Sequence, residues 1–262
     1  MKEPTMGQPT IQEVTNWDLS PLLAAADVSV PVQSRGDDPV PGQASLTLLD
    51  GKQAMTQDGQ LSEGQKLDLD ESGLLCELAT RAEVDPVEKP LEWYKKYVGK
   101  LVDLGYKTDN FGGNTYREDK TEFKLSEVAF KILVSLLGGP AGAAAQAAID
   151  QLRQYDKEGM SGPNLFSSVH KEVKKHSFSI GHARLNRDGL PEVALAFFSV
   201  EVDRAIKDIL VASLRTQTTR LFAHSTTLHL TRSYDDETRK IVRDMIKQYR
   251  SGIQKWKLKP SK

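Results

Sequence analysis

Residues 176–202 read HSFSIGHARLNRDGLPEVALAFFSVEV, and this stretch decides the fold class. Phe178, Ile180 and His182 alternate with small polar residues, the period of two that a strand with distinct faces requires. Asn186-Arg187-Asp188-Gly189 supplies a hairpin turn, and Val193 to Val202 reads as the partner strand. Two more strands are expected, at Ala205 to Leu214 and Thr219 to Thr231. The first of these also fits a helix face through Val202, Ile206, Ile209, Leu210 and Ser213, but its flanks are rich in β-formers, which favours strand. The expected class is α+β, with an antiparallel meander of about four strands packed with several helices.

Beyond the strands, Asp235 to Trp256 predicts a long C-terminal amphipathic helix. It begins with Asp235, Asp236 and Glu237, as the helix dipole favours, and carries Ile241, Val242, Met245, Ile246, Tyr249, Ile253 and Trp256 on one stripe. Its outer side bears Lys240, Arg243, Lys247 and Arg250, followed by Lys255, Lys257, Lys259 and Lys262, a strip that could meet anionic lipid. No aromatic residues interleave there to stack bases, so nucleic acid is not an expected partner.

Before the strands, helical spacing runs from Ser126 to Leu137 until Gly138-Gly139-Pro140 breaks it, with a return helix expected over Ala143 to Tyr155. Pro90 opens another helix, placing Trp93, Tyr94, Tyr97, Val98, Leu101, Val102 and Leu104 inward and stopping at Gly105. Residues 106–118 read as a strand or hairpin bent at Phe111 to Tyr116. Asp70 can cap a helix carrying Leu74, Leu75, Leu78 and Ala82. From Met1 to about Leu67, Pro, Gly, Gln, Ser and Asp dominate without sustained periodicity. The expected division is a disordered acidic arm over 1–67, serving export or docking, and one α+β domain over 68–262.

Charge is divided along the chain. Residues 1–90 hold 16 acids and 6 bases, and residues 91–262 hold 20 acids and 29 bases, about −10 against +9. Two solvated surfaces of opposite sign explain this as well as an arm lying over a basic domain. Within the arm, Trp17, Leu19, Leu22 and Leu23 form an apolar knob suited to a groove on a protein partner, with Ser20 and Pro21 able to start a short helix. The alternative is a segment that folds back on its own domain.

Cys76 is the sole cysteine, so no internal disulfide can form and folding needs no oxidising compartment. The start, Met1-Lys2-Glu3-Pro4-Thr5, is not a secretory signal. The protein is thus expected in the cytoplasm when made, with any export following a leaderless route. A thiol beside Leu74 and Leu75 also makes Cys76 a candidate for acylation, against the plainer role of a small core residue.

No catalytic constellation emerges. His170, His176, His182, His224 and His229 lack the helical spacing of metal ligands, and His224 and His229 would sit on opposite faces of one strand. There is no Gly-x-Ser-x-Gly, and Gly138-Gly139-Pro140-Ala141-Gly142 lacks the Lys-Ser/Thr of a phosphate loop. No catalytic residue, metal or cofactor is therefore expected. The segment that most invites a function is Ile132 to Ile149, eighteen uncharged residues near the lower limit for crossing a bilayer. Leu136, Leu137, Gly138, Gly139 and Pro140 mark its break, giving either a tightly packed helical hairpin or a membrane-active one stored in the fold.

Residues 70–257 resemble a family of bacterial and fungal proteins of about 200 residues, some described as similar to the insect-gut virulence factor of Erwinia. The resemblance rests on Leu74-Leu75-Cys76-Glu77-Leu78-Ala79, on Trp93-Tyr94-x-x-Tyr97-x-x-x-Leu101-x-x-x-Gly105-Tyr106, and on the Ala/Gly hairpin, strands and terminal helix that follow. It implies an α+β domain without a known catalytic centre, linked in some members to virulence or interbacterial delivery. The function expected is a non-enzymatic bacterial effector or accessory protein acting by protein or membrane binding. The alternatives are an intracellular adaptor and an enzyme whose site the sequence does not display.

Overall fold

The computed structural model describes residues 14–19, 44–50, 52–108, 114–115, 121–137, 174–204, 213–250 and 253–257. In chain order these form β1 (Ser45–Leu49), β2 (Gln53–Gln57), α1 (Glu63–Glu83), α2 (Pro90–Asp103), β3 (Tyr106–Thr108), β4 (Asn114–Thr115), β5 (Glu122–Phe123), α3 (Leu125–Leu137), β6 (Lys175–Leu185), β7 (Pro191–Val202), β8 (Leu214–Arg215), β9 (Thr219–Leu230), α4 (Asp236–Met245) and β10 (Ile253–Lys257). The main sheet is mixed, in the order β10-β1-β2-β6-β7-β9-β3, with β4 also paired to β9. Six of its strands have five or more residues: β1, β2, β6, β7, β9 and β10. Only β2 and β6 run parallel; the rest pair antiparallel, from Ser45↔Lys257 at one edge to Thr108↔Leu228 at the other.

Both faces of this sheet are covered, which explains why β7 is buried along nearly its whole length. On one face Val193, Leu195 and Phe197 of β7 and Leu228 of β9 pack with Leu74, Leu75 and Leu78 of α1, Trp93, Tyr94 and Tyr97 of α2 and Val242 of α4. On the other, Ala194, Ala196, Phe198 and Val200 pack with Leu125, Val128, Ala129, Ile132 and Leu133 of α3. Alternation along one strand thus builds two separate cores. The hairpin predicted at 176–202 is present, closed by Gly189 at φ 72° and by Leu190 N–H and Asp188 N–H donating to Asn186 Oδ1.

Helix α2 begins at Pro90 and ends as expected, with Gly105 at φ 101° just beyond it. Several expectations need correction. The terminal helix stops at Met245, and residues that would continue its stripe lie in β10, at the open edge of β1. An exposed strand edge offers unpaired backbone donors and acceptors, and satisfying them outweighs extending a helix. The meander has three long strands, because β7 pairs directly with β9, while Leu214–Arg215 pairs with Glu122–Phe123 in a separate two-stranded sheet. Residues 205–212 lie outside the described residues.

Helix α1 starts seven residues before the expected cap at Asp70. Ser62 and Gln65 form a reciprocal capping box, Ser62 Oγ accepting from Gln65 N–H at 3.2 Å and Gln65 Oε1 from Ser62 N–H at 2.9 Å. The folded domain also begins before 68, since β1 and β2 are interior strands of the main sheet. Residues 1–13 and 20–43 lie outside the described residues, so the rest of the expected arm is not described.

Gly105 fixes the join between α2 and β3, since a Cβ there would lie 3.0 Å from Tyr234 N and 3.1 Å from Ser233 C in a left-handed backbone. Gly105→Ala should therefore destabilise the protein by about 1–3 kcal/mol, combining backbone strain with a clash against main chain that cannot rotate away. Chemical denaturation measures it, and a loss within 0.5 kcal/mol of zero would show that the join is able to relax.

Candidate functional site

Two features of the fold are placed for function: a charge clamp on one face of the sheet and an apolar helix on the other. The clamp starts with acids of α1 that face inward. Asp68, Asp70, Glu71 and Glu77 are all buried, an arrangement that is costly unless each charge is paired. Arg239 Nε donates to Asp68 Oδ2 at 2.8 Å, and Arg243 Nε to Glu71 Oε2 at 2.9 Å. Arg250 adds a 2.8 Å bond to Glu71 Oε1 and Lys255 Nζ sits 2.8 Å from Asp70 Oδ2. Farther along α1, Glu77 is paired with Arg81, which also binds Asp50 in the turn between β1 and β2.

Part of the predicted basic strip is therefore engaged by α1 while its side chains stay partly exposed. Arg243, Arg250 and Lys255 serve α1, where the sequence reading had them on an outer helix face. Asp70 has the most enclosed position, accepting also from Gln57 Nε2 at 2.7 Å and Thr47 Oγ1 at 3.4 Å. Burial raises its carboxyl to about 6, against the opposing pull of Lys255. The missed signal was the opposite charge of the two halves of the chain, which here meet in contact.

The apolar helix is α3. Leu125, Val128, Ala129, Ile132 and Leu133 are buried against the sheet, joined by Phe123 of β5 and Leu214 of β8. Leu136 and Leu137 end the helix, while Gly138, Gly139 and Pro140 lie outside the described residues, as does the expected return helix. Among the described residues no helix is long and apolar enough to cross a membrane.

Of the arm residues, Leu22 and Leu23 lie outside the described residues, and Trp17 and Leu19 lie against the domain itself. Cys76 is fully buried in the middle of α1, where burial pushes its thiol well up, so an acyl donor cannot reach it in the folded chain. His176 and His182 share the α3 face of β6, while His224 points to the other core and His229 to the α3 side. His182 is lowered to about 4 by burial, and its Nδ1 lies 2.8 Å from Thr56 Oγ1. Among the described residues no group of three His, Cys, Asp or Glu converges as metal ligands do. An open depression of about 340 Å³ beside Lys52, Arg81, Glu83 and Asp85 at the end of α1 contains only charged, aliphatic and proline side chains.

No protein-family description and no curated protein matches the sequence. Among solved structures, one titled "DELTA-ENDOTOXIN" is similar over 68% of this chain and 80% of its own, with 14% identity and a TM-score of 0.42. A second, titled "Structure of the Evf virulence factor", covers 83% of this chain and 84% of its own at 12% identity and a TM-score of 0.33. The likeness to that virulence factor is weak, and neither comparison assigns a family.

Asp70 generates a signed pH dependence. Below about pH 4 the carboxyl is protonated in both folded and unfolded chains; between about 4 and 6 only the folded chain retains the proton; above 6 both are ionised. Its contribution to stability therefore falls as pH rises, by about 3 kcal/mol in all. Asp70→Asn removes this titration, so the stability difference, wild type minus variant, should drop between pH 4 and 7. Urea melts at half-unit pH steps test it; a flat or rising difference refutes the assignment.

Proposed function

We propose that this chain is a non-enzymatic effector that acts on membranes, carrying α3 and the uncharged residues after it to a bilayer while the clamped half of the fold stays closed. The observation that supports this most is the placement of α3: it packs through apolar side chains on the face of the sheet opposite the clamp, and it leads directly into residues 138–149, which contain no charge.

Transfer energies favour such a step only at a membrane. Burying each large aliphatic side chain is worth roughly 1.5–3 kcal/mol, so moving Leu125, Val128, Ile132 and Leu133 into water would cost on the order of 10 kcal/mol. Moving them into lipid exchanges one apolar setting for another and avoids most of that cost. Helix α3 has 13 residues, about 20 Å at 1.5 Å each, against a hydrocarbon core of about 30 Å. A shallow helix or a hairpin completed by the following uncharged run fits these lengths better than a single crossing. The clamp on the other face would keep α1, α2 and α4 attached to the sheet during this step.

Dye-loaded vesicles provide the test, made from neutral lipid or with a third of anionic lipid, at pH 4 to 8. The protein should release dye under at least one of these conditions. Ala144→Lys with Ala147→Lys should lower release at least tenfold, with the far-UV spectrum and melting temperature of the variant measured alongside to separate this from loss of the fold. The reading fails if the wild-type chain neither floats with vesicles nor releases dye.

A further inference from the structure

Val14 and Thr15 are helical, Trp17 N–H donates to the Val14 carbonyl at 3.1 Å across the turn that follows, and residues 17–19 have no regular secondary structure. Val14 and Leu19 are buried, and Trp17 packs beside them on the core shared by α1, α2 and α4. Two polar fixings hold the segment from either side. Lys100 of α2 places its Nζ 4.3 Å from the Trp17 ring centroid while also donating to Glu83 at 2.8 Å. Tyr249, just past α4, donates its hydroxyl to the Leu19 carbonyl at 3.2 Å, its phenol raised by burial and, secondarily, by the Asp18 carboxylate.

These are the features of a bound peptide rather than of a core element: a short stretch with apolar anchors spaced Val-x-x-Trp-x-Leu, a cation over its aromatic ring and a donor to its last carbonyl. Twenty-four residues, 20–43, separate it from Ala44 at the start of the sheet. We propose that the surface between α2 and the Tyr249 turn is a peptide-recognition groove occupied in cis by Val14–Leu19, which acts as a displaceable strap. The groove accepts a peptide with the same anchor spacing, and because the resident segment belongs to the same chain it competes as an intramolecular ligand against any free peptide. Foreign peptide is thereby excluded until the strap is weakened or cut. Because Tyr249 is next to Arg250, which binds Glu71, the strap also restrains the turn leading into β10.

The experiment uses the full chain and a fluorescein-labelled peptide of residues 11–22, followed by anisotropy. Trp17→Ala with Leu19→Ala removes two of the three resident anchors, leaving Val14, and should bind the peptide at least tenfold more tightly than wild type. Lys100→Met added to that variant should weaken binding several-fold through loss of the cation over the ring, with Glu83→Gln in the same background as the control for the Lys100–Glu83 bond that is lost with it. Equal affinity of wild type and variant would overturn the proposal, as would no binding by a variant that keeps the wild-type far-UV spectrum. A double variant unfolded at 25 °C would overturn it too, by making the segment part of the core. A wild-type dimer that the double variant cannot form would show occupation by a second copy, and cis occupancy would be refuted.

Discussion

Carboxylates buried on α1 have to be matched by cations, and most of the architecture on that face of the sheet follows from this requirement. Asp68, Asp70 and Glu71 lie in one turn of the helix, all largely out of water. An unpaired charge in such a place costs several kcal/mol, and removing one partner of a buried pair typically costs 3–5 kcal/mol. The cations come from the far end of the chain: Arg239 and Arg243 on α4, Arg250 after it and Lys255 on β10. The clamp consequently holds the last helix against α1, and Lys255 adds one ion pair to the strand that the β1 edge receives. Guanidinium groups suit this, because one arginine can address two acids; Arg243 binds Glu71 at 2.9 Å and approaches Asp68 at 3.7 Å.

The same requirement explains what was readable in the sequence. Elements whose pattern is local were legible: the alternation over 176–202, the stripe of α2 with Pro90 at its start and Gly105 at its end, and the run from Ser126 to Leu137. Elements fixed by remote partners were not. The N-terminal part of α1 contains Lys66, Asp68, Asp70 and Glu71 where a core helix would show aliphatics, so the polar stretch reads as a linker although Ser62-x-x-Gln65 is a capping-box signature. Ile253 fits a helical stripe and a strand equally well, and only the vacant edge of β1 decides between them. Asp50-Gly51 between two short β-prone segments was a hairpin signal too, with Asp50 at φ 47°, but it was set in a sequence otherwise poor in periodicity. Of the candidate site, the apolar α3 was visible from composition. The clamp was visible only as a charge imbalance between halves, with no indication of which residues meet.

The two faces of the sheet differ in how their helices are attached. On the α1 face, directional ion pairs and hydrogen bonds add to packing: Tyr97 OH donates to Gln53 at 2.9 Å, and Ser72 and Tyr106 hydroxyls lie 2.7 Å apart. Such contacts lose their value if either partner shifts by an ångström, so that half moves as a unit or not at all. On the α3 face the helix meets the sheet through aliphatic and phenylalanine side chains, Phe178 stacking on Phe198 at 5.1 Å between centroids, while the sheet keeps polar contacts of its own such as Thr56 Oγ1 to His182 Nδ1 at 2.8 Å. Apolar contact is non-directional, and hydrocarbon lipid can replace it with little loss. The sheet thus carries buried ion pairs on its α1 face and a core of aliphatic and phenylalanine side chains on its α3 face, and the proposed membrane step draws on the second.

The turn after α4 links the remaining parts. Within two adjacent residues, Tyr249 holds the Leu19 carbonyl and Arg250 holds Glu71, and three residues further β10 begins its pairing with β1. A force or a competing ligand that frees Leu19 acts first on Tyr249, and any displacement of that turn reaches Glu71 through Arg250 before it reaches the sheet. The buried acids then resist, because losing Arg250 leaves Glu71 dependent on Arg243 alone, and Arg243 is also drawn toward Asp68. Strap and clamp are therefore arranged in series: the strap can leave without opening the clamp as long as Arg250 keeps its place, whereas opening the clamp necessarily displaces the turn on which the strap depends.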